Sequence, residues 1–182
     1  DMPFQHISDP VLKKMNRKIT RKEIEATMAR VRRQLPDVAW RTTFIVGFPT
    51  ETDQDFEELV DFVSEGHFQH LGIFLYSDED NIRSSKFGDP IPLSLKEERK
   101  NRLMEIQQKI SREHHQKMVG SLQQVLVGGF SSETDLLLEG RNQYQGPEVD
   151  GVVYINEGNA TSAGFHQVEI TEAHEYDLVG KI

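Results

Sequence analysis

The stretch from Trp40 to Glu51, Trp-Arg-Thr-Thr-Phe-Ile-Val-Gly-Phe-Pro-Thr-Glu, restricts the fold more than any other part of this chain. Thr42, Thr43, Phe44, Ile45 and Val46 form a β-branched and aromatic run, which predicts a strand. Gly47-Phe-Pro49 ends that strand with one permissive backbone position and one fixed one. A helix is predicted immediately afterwards, with Thr52 as its N-cap and Asp55 standing where a capping box has Glu or Gln. Strand, glycine turn and helix make half of a βαβ unit, and ligands of such units lie at the carboxyl ends of the strands. Gly47, Phe48 and Glu51 are therefore candidate binding residues. Alternation puts Trp40, Thr42, Phe44 and Val46 on one face, suited to covering helices, and Arg41, Thr43, Ile45 and Gly47 on the other. An arginine and a hydroxyl are costly in a dry core unless paired. That second face either sits at the exposed start of the strand or lines a polar lumen.

The flanking segments extend the βα pattern. Asp1-Met-Pro-Phe-Gln-His-Ile reads as the end of an earlier strand, followed by a short helix capped by Ser8 or Asp9 with Pro10 in its first turn. In a parallel sheet Gln5 and His6 would share a rim with Gly47; taken alone they serve equally well as capping and turn residues. Thr20-x-x-Glu23 is a capping box that opens a helix to about Leu35, with Ile24, Met28, Val31 and Leu35 on one stripe. A helix over 53–65 buries Phe56, Leu59, Val60 and Val63. Leu71–Tyr76 is nearly continuous in apolar residues, as expected of a strand covered on both faces, and Tyr76 marks its carboxyl end. The polar stretch 78–92 reads as a loop. Ser94-x-x-Glu97 predicts a further capped helix, to about Met118, with Leu103, Ile106, Ile110 and His114 inward.

After Gly120 the pattern changes to five short strand-like runs, 122–127, 135–144, 149–155, 165–170 and 176–182, some separated by Gly128-Gly129, Gly146-Pro147 and Gly158-Asn159. Short strands with Gly-rich turns predict a small barrel. Charge divides at the same place. Residues 121–182 hold ten acidic and two basic residues, a net −8 of the total −9. Such a surface repels a phosphate backbone and attracts a basic protein. Lys13, Lys14, Arg17, Lys18, Arg21, Lys22, Arg30, Arg32 and Arg33 crowd the first two helices instead, and the simplest reading of them is a solvated helix face.

The absence of cysteine excludes disulfides and thiolate-held zinc or iron–sulfur centres within these 182 residues. The seven histidines form no metal motif, so no metal ligand is predicted. No run of about 18 apolar residues is present to span a bilayer. The chain opens at Asp1, apparently inside an element, and reads as a piece of something longer.

Three segments, Asp1-Met-Pro-Phe-Gln-His-Ile-Ser, Thr43-Phe-Ile-Val-Gly-Phe-Pro-Thr-Glu51 and Arg102-Leu-Met-Glu-Ile-Gln107, resemble the radical S-adenosylmethionine methylthiotransferases. The resemblance covers essentially the whole chain. It implies an α/β fold: residues 1–117 as the second half of a partial, TIM-barrel-like (β/α) barrel and residues 118–182 as a TRAM domain, a small OB-like all-β barrel. One branch of that family modifies a tRNA adenosine; the other adds a methylthio group to an aspartate of a small-subunit ribosomal protein. Gln5–Ser8, Arg41-Thr-Thr and Pro147–Tyr154 look like the ribosomal-protein branch, and the acidic second half agrees with a basic target. The implied setting is cytoplasmic, with the ribosomal protein as partner, the ribosome or its RNA nearby, and no membrane. The implied cofactors are S-adenosylmethionine and two [4Fe-4S] clusters whose cysteine ligands lie outside this chain, so the chain alone is expected to be inactive, or to act only as a docking module. By the same resemblance Gln5, His6, Gly47, Phe48, Glu51 and Tyr76 form a cofactor wall, with Arg41 and Thr43 facing the polar part of the cofactor. Gly47→Val is then expected to impair cofactor binding more than folding. No residue is assigned as acid, base or radical acceptor. Glu148 and Asp150, beside the Gly146-Pro147 turn, are the expected substrate contacts.

Overall fold

The computed structural model describes residues 1–79, 84–158 and 163–182. It divides into two compact units, Asp1–Gln107 and Gln108–Ile182. The first is built of helices α1 (Asp9–Lys14), α2 (Arg21–Gln34) and α3 (Asp53–Ser64), strands β1 (Arg41–Val46) and β2 (His70–Leu75), and the first half of helix α4 (Leu93–Gln116).

β1 and β2 pair in parallel, with Arg41 opposite His70 and Val46 opposite Leu75. Side chains at paired positions share a face, so Phe44 and Val46 point with Ile73 to the helices while Arg41, Thr43 and Ile45 lie with Gly72 and Phe74 on the opposite side. The first face is the core. Phe44, Phe62 and Phe68 meet with ring centroids 5.8–6.4 Å apart in edge-on arrangements, the spacing at which aromatic quadrupoles attract. Ile24 and Met28 of α2 and Leu59 and Val63 of α3 close around them. The second face is open: Phe74 is 61% exposed. Its continuous apolar character therefore does not mean cover on both sides.

The expected first strand is reduced to one parallel bridge between Gln5 and Phe44. The Gln5 N–H donates to the Thr43 carbonyl (2.9 Å) and the Gln5 carbonyl accepts from Ile45 (2.9 Å), but Gln5 then turns to φ 73°, which no strand continues. α1 follows directly after Ser8, as expected, although the Ser8 hydroxyl does not cap it. The capping boxes at Thr20/Glu23 and Thr52/Asp55 both form. The one at Ser94 does not: α4 already includes Leu93, and the Pro92 carbonyl accepts from Leu95 and Lys96.

The second unit contains the last turns of α4 and strands β3 (Leu122–Phe130), β4 (Leu138–Asn142), β5 (Val153–Glu157), β6 (Gly164–Ala173) and β7 (Leu178–Lys181). They close into a barrel in the order β3-β4-β5-β7-β6, with β5 and β7 parallel and every other pair antiparallel. Val125, Val127, Val153, Ile155, Val168, Ile170 and Leu178 fill it. Its narrow bore shows at Gly180, where an added Cβ would lie 2.5 Å from Val168 Cγ1. Each of the five strands overlaps one of the five predicted runs, but Gly128-Gly129, expected as a separator, lies inside β3 at a register shift, and β5 begins only at Val153; Asn159 of the Gly158-Asn159 turn and positions 80–83 of the predicted loop lie outside the described residues. The division between units falls within α4, earlier than residue 117, because the end of that helix packs with the barrel: the His115 ring Nδ1 lies 3.1 Å from the His174 carbonyl oxygen.

Candidate functional site

The carboxyl ends of β1 and β2 are held by a ring of buried polar contacts. Gly47 turns the chain at φ +76°, a conformation that glycine adopts without strain. Its N–H donates to Glu51 Oε2 (2.5 Å), and the Phe48 N–H donates to the same oxygen (3.2 Å). The other oxygen of Glu51 accepts from Arg99 Nη1 (3.0 Å), whose Nη2 bonds Asp53 (2.6 Å). Burial pushes the Glu51 carboxyl up to about 6, against the pull of Arg99 and the two N–H groups. Next to this ring, Lys96 donates to the Tyr76 carbonyl (2.8 Å) and to both oxygens of Asp89 (2.5 and 2.6 Å). The opening turns of α4 thus tie the ends of both strands together.

The buried face of α4 is Lys96, Arg99, Leu103, Gln107, Ser111 and His115, a helical stripe in which only Leu103 is apolar. Hydrophobic periodicity points instead to Leu103, Ile106, Ile110 and His114. A polar stripe looks solvated in sequence, and two of its partners, Glu51 and Tyr76, are far from it along the chain. No local signal in the sequence marks this face, because Lys96 and Arg99 are polar and their burial shows only in the fold.

His6 lies beneath α3 rather than on an open rim. It is fully buried, its Nδ1 accepts from the Ser8 N–H (3.0 Å), and its Nε2 has no hydrogen-bond partner among the described residues. The Ser8 hydroxyl donates to Asp55 Oδ1. Burial pushes the His6 imidazole down to about 4, with Asp55 pulling it up and Arg99 pushing it further down. The ring is therefore neutral at physiological pH, and with Nδ1 accepting, its proton is on Nε2.

A groove of about 420 Å³ opens at the strand ends. Gln5, Phe48 and Tyr76 line it, as do Ile45 and Leu75; Lys14, Met15, Asn16 and Arg17, at the end of α1, form another wall. Phe48 packs edge-on against Tyr76 (5.2 Å) and Phe87 (6.0 Å). Of the expected cofactor wall, then, Gln5, Phe48 and Tyr76 come together at the groove. Gly47, Glu51 and His6 do not line it; they support it from behind. A Cβ on Gly47 would lie 2.4 Å from Lys96 Cγ and 2.8 Å from Cδ, so the space beside this glycine holds a lysine stem. Gly47→Val therefore strikes packing and backbone first, contrary to the expectation that ligand binding suffers more than folding. Arg41 and Thr43 are half-buried on the open sheet face, Arg41 with Asp1 at 3.8 Å, and neither lines the groove.

In the barrel unit a cavity of about 520 Å³ includes Glu148 and Asp150 in its lining, with Glu139 and Arg141. Asp150 also has structural work: its Oδ2 accepts from the Gly146 N–H (2.6 Å), closing the loop that presents Glu148 at φ +63°. Charge reversal at Asp150 would disturb that loop. Among the described residues no cluster of His, Asp or Glu could hold a metal ion, and no helix is long and apolar enough to cross a membrane.

Comparison with known proteins joins these two units to named families. Residues 1–63 match the radical SAM superfamily model and residues 119–182 the TRAM domain model. Over all 182 residues the chain is 51% identical to the ribosomal protein uS12 methylthiotransferase RimO of Bdellovibrio bacteriovorus, covering 40% of that protein. It is 44% identical to the same enzyme of Geobacter sulfurreducens, covering 41%, and 46% identical to that of an Anaeromyxobacter species, covering 39%. The chain spans about 40% of the length of the curated relatives it matches.

Proposed function

We propose that this chain is part of a radical SAM methylthiotransferase and serves the methylthiolation of a ribosomal protein, as its matches suggest: its first unit contributes the strand-end wall of the S-adenosylmethionine site, and its acidic barrel docks a basic protein substrate. The groove lined by Gln5, Phe48 and Tyr76 carries the first half of this reading, because it lies where βα folds bind ligands and has flat aromatic and apolar walls with polar groups at the edge. S-adenosylmethionine, when bound, supplies the methyl group and the radical chemistry. The residues of this chain bind and orient it: Phe48 and Tyr76 offer apolar surface, Gln5 an amide, and the Glu51–Arg99 and Lys96–Asp89 contacts hold the loops rigid behind them. Rigid support of that kind is what keeps a reacting group in register. A chain without cysteine does not fit a thiolate-held cluster, so the iron–sulfur chemistry belongs to residues outside it.

The second half of the reading rests on charge. Ten acidic residues against two basic ones in 121–182 favour a cationic protein over a phosphate backbone. Glu148 stands exposed on its loop as the preferred contact, with Asp150 holding that loop in place.

The test is a chimera in which this chain replaces the matching segment of the Bdellovibrio protein, assayed by mass spectrometry for methylthiolation of uS12. Transfer to uS12 is the expected result. A folded, cluster-loaded chimera that modifies tRNA and not uS12 would overturn the reading.

A further inference from the structure

We propose that the outer face of α2, carrying Lys22, Arg30 and Arg33, docks the phosphate backbone of duplex RNA. The choice of RNA among anions rests on the reading that the substrate is a ribosomal protein, which belongs to an RNA–protein particle.

Helix geometry defines the face. Residues advance about 100° around an α-helix, so Lys22, Ala26, Ala29, Arg30 and Arg33 fall within an arc of about 100°. All five are exposed, and the buried Ile24 and Met28 lie on the other side of the helix. From Lys22 to Arg33 the stripe runs about 16 Å along the axis.

The cations of α2 sort into two sets. Arg21 bonds Glu25 (2.8 Å) and lies over the Phe62 ring, and Arg32 donates to the His67 carbonyl (2.9 Å). Both acids of the helix are engaged, Glu25 by Arg21 and Glu23 in the capping box with Thr20. Lys22, Arg30 and Arg33 have no ion-pair partner among the described residues.

Helix stability does not account for this second set. A solvated helix face gains from an acid four residues away from each cation. Here Ala26 stands four residues from both Lys22 and Arg30, and Ala29 four from Arg33. Lys22 also lies in the first turn, where a cation opposes the helix dipole. Unpaired cations on a stripe with small residues between them can reach phosphates as point charges, without reading base edges.

Charge distribution supplies the argument for the partner. Residues 13–33 hold nine basic and two acidic residues, a net +7 in a chain whose total is −9. The acidic barrel suits a basic protein, and the basic helix suits a polyanion. Together they fit a protein substrate met on its RNA particle better than one met free in solution.

The test is fluorescence anisotropy of a labelled RNA duplex of arbitrary sequence, titrated with the 182-residue chain at several salt concentrations. Binding should be independent of sequence, with a dissociation constant on the order of 10⁻⁴–10⁻⁶ M. Three phosphate contacts predict a fall of about 40-fold between about 50 and 200 mM salt. Lys22→Gln with Arg30→Gln and Arg33→Gln should lower the salt slope by about 3 and weaken binding about tenfold or more at low salt. The urea midpoint followed at Trp40 should stay unchanged, since all three side chains are exposed. Lys100→Gln with Lys109→Gln and Lys117→Gln, an equal charge change on α4, should leave the slope as it is. No binding of the duplex, a slope that survives the α2 variant, or an equal loss in the α4 variant would overturn the RNA face. So would a self-association by light scattering that depends on the three α2 cations and that the duplex does not compete away. A parallel titration with uS12 separates the two readings. If uS12 binds and the duplex does not, the RNA face fails and the protein-docking reading stands. If the duplex binds through α2 and uS12 does not bind, the face stands and the reading of the substrate fails.

Discussion

Gly47→Ala gives the most direct physical test of how the strand ends are held. Glycine at φ +76° is exchanged for a residue that reaches this conformation at a cost of about 1–2 kcal/mol. The new Cβ would also sit 2.4 Å from Lys96 Cγ and 2.8 Å from Cδ. A lysine stem must then move by about 1 Å to restore ordinary contact. Its side chain is 3% exposed and its ammonium is held at 2.8 Å from the Tyr76 carbonyl and 2.5 Å from Asp89, so the shift weakens charge-assisted bonds each worth roughly 1.5–3 kcal/mol. The sum is a loss of about 3–5 kcal/mol in the first unit. The two parts separate in a double-mutant cycle. In a Lys96→Ala background the stem is gone, and Gly47→Ala should cost only the backbone term, about 1–2 kcal/mol. Trp40, the single tryptophan, is 5% exposed within this unit, and its fluorescence during urea unfolding reports the unit without interference from the barrel. Strictly additive costs, or a neutral Gly47→Ala, would refute the account of this turn.

Acid stability should follow two buried groups that oppose one another. His6, at about 4 in the folded state against 6.5 unfolded, refuses a proton that the unfolded chain accepts, so stability falls by about 3 kcal/mol as pH drops from 6.5 to 4. Glu51, at about 6 against 4.5, accepts one first, so acidification from pH 6 to 4.5 returns about 2 kcal/mol. Urea midpoints followed at Trp40 should therefore change little between pH 6 and 4.5, and Glu51→Gln should steepen the loss there; an unchanged profile would remove Glu51 from the balance. Asp150→Asn should release the Gly146 N–H contact and raise hydrogen exchange in the 146–151 loop while the barrel amides stay protected. Anaerobic reconstitution of the chain with iron and sulfide should yield no stoichiometric cluster by absorption and iron analysis, since no thiolate is available.

Where local chemistry decides, the structure was legible in advance. Alternation predicts the buried face of β1, because Thr42, Phe44 and Val46 recur with period two. Thr20 and Thr52 announce their helices because a cap bonds within three residues. The barrel shows as five strand-like runs, some of them set off by glycine turns. What escaped depends on distant partners. Lys96 and Arg99 look like surface residues until Glu51 and Asp89 are seen to meet them. His6 reads as a rim residue because its neighbour Gln5 is one, yet adjacent side chains point opposite ways and His6 goes under α3. Ser94 matches a capping box, but the helix starts one residue too early to use it.

The central claim is that the acidic barrel serves a protein substrate and not an RNA. It is tested by titrating the 182-residue chain with the ribosomal protein uS12, proposed here as its basic partner, and with tRNA side by side, each at a low and a physiological salt concentration. A net −8 over residues 121–182 predicts tighter binding of uS12, with an association rate that falls as salt rises because opposite charges are screened over about 8 Å at physiological ionic strength. Glu148→Lys should weaken that binding while the barrel stays folded. Tighter, strongly salt-dependent binding of tRNA, with uS12 bound weakly or not at all, would contradict the account.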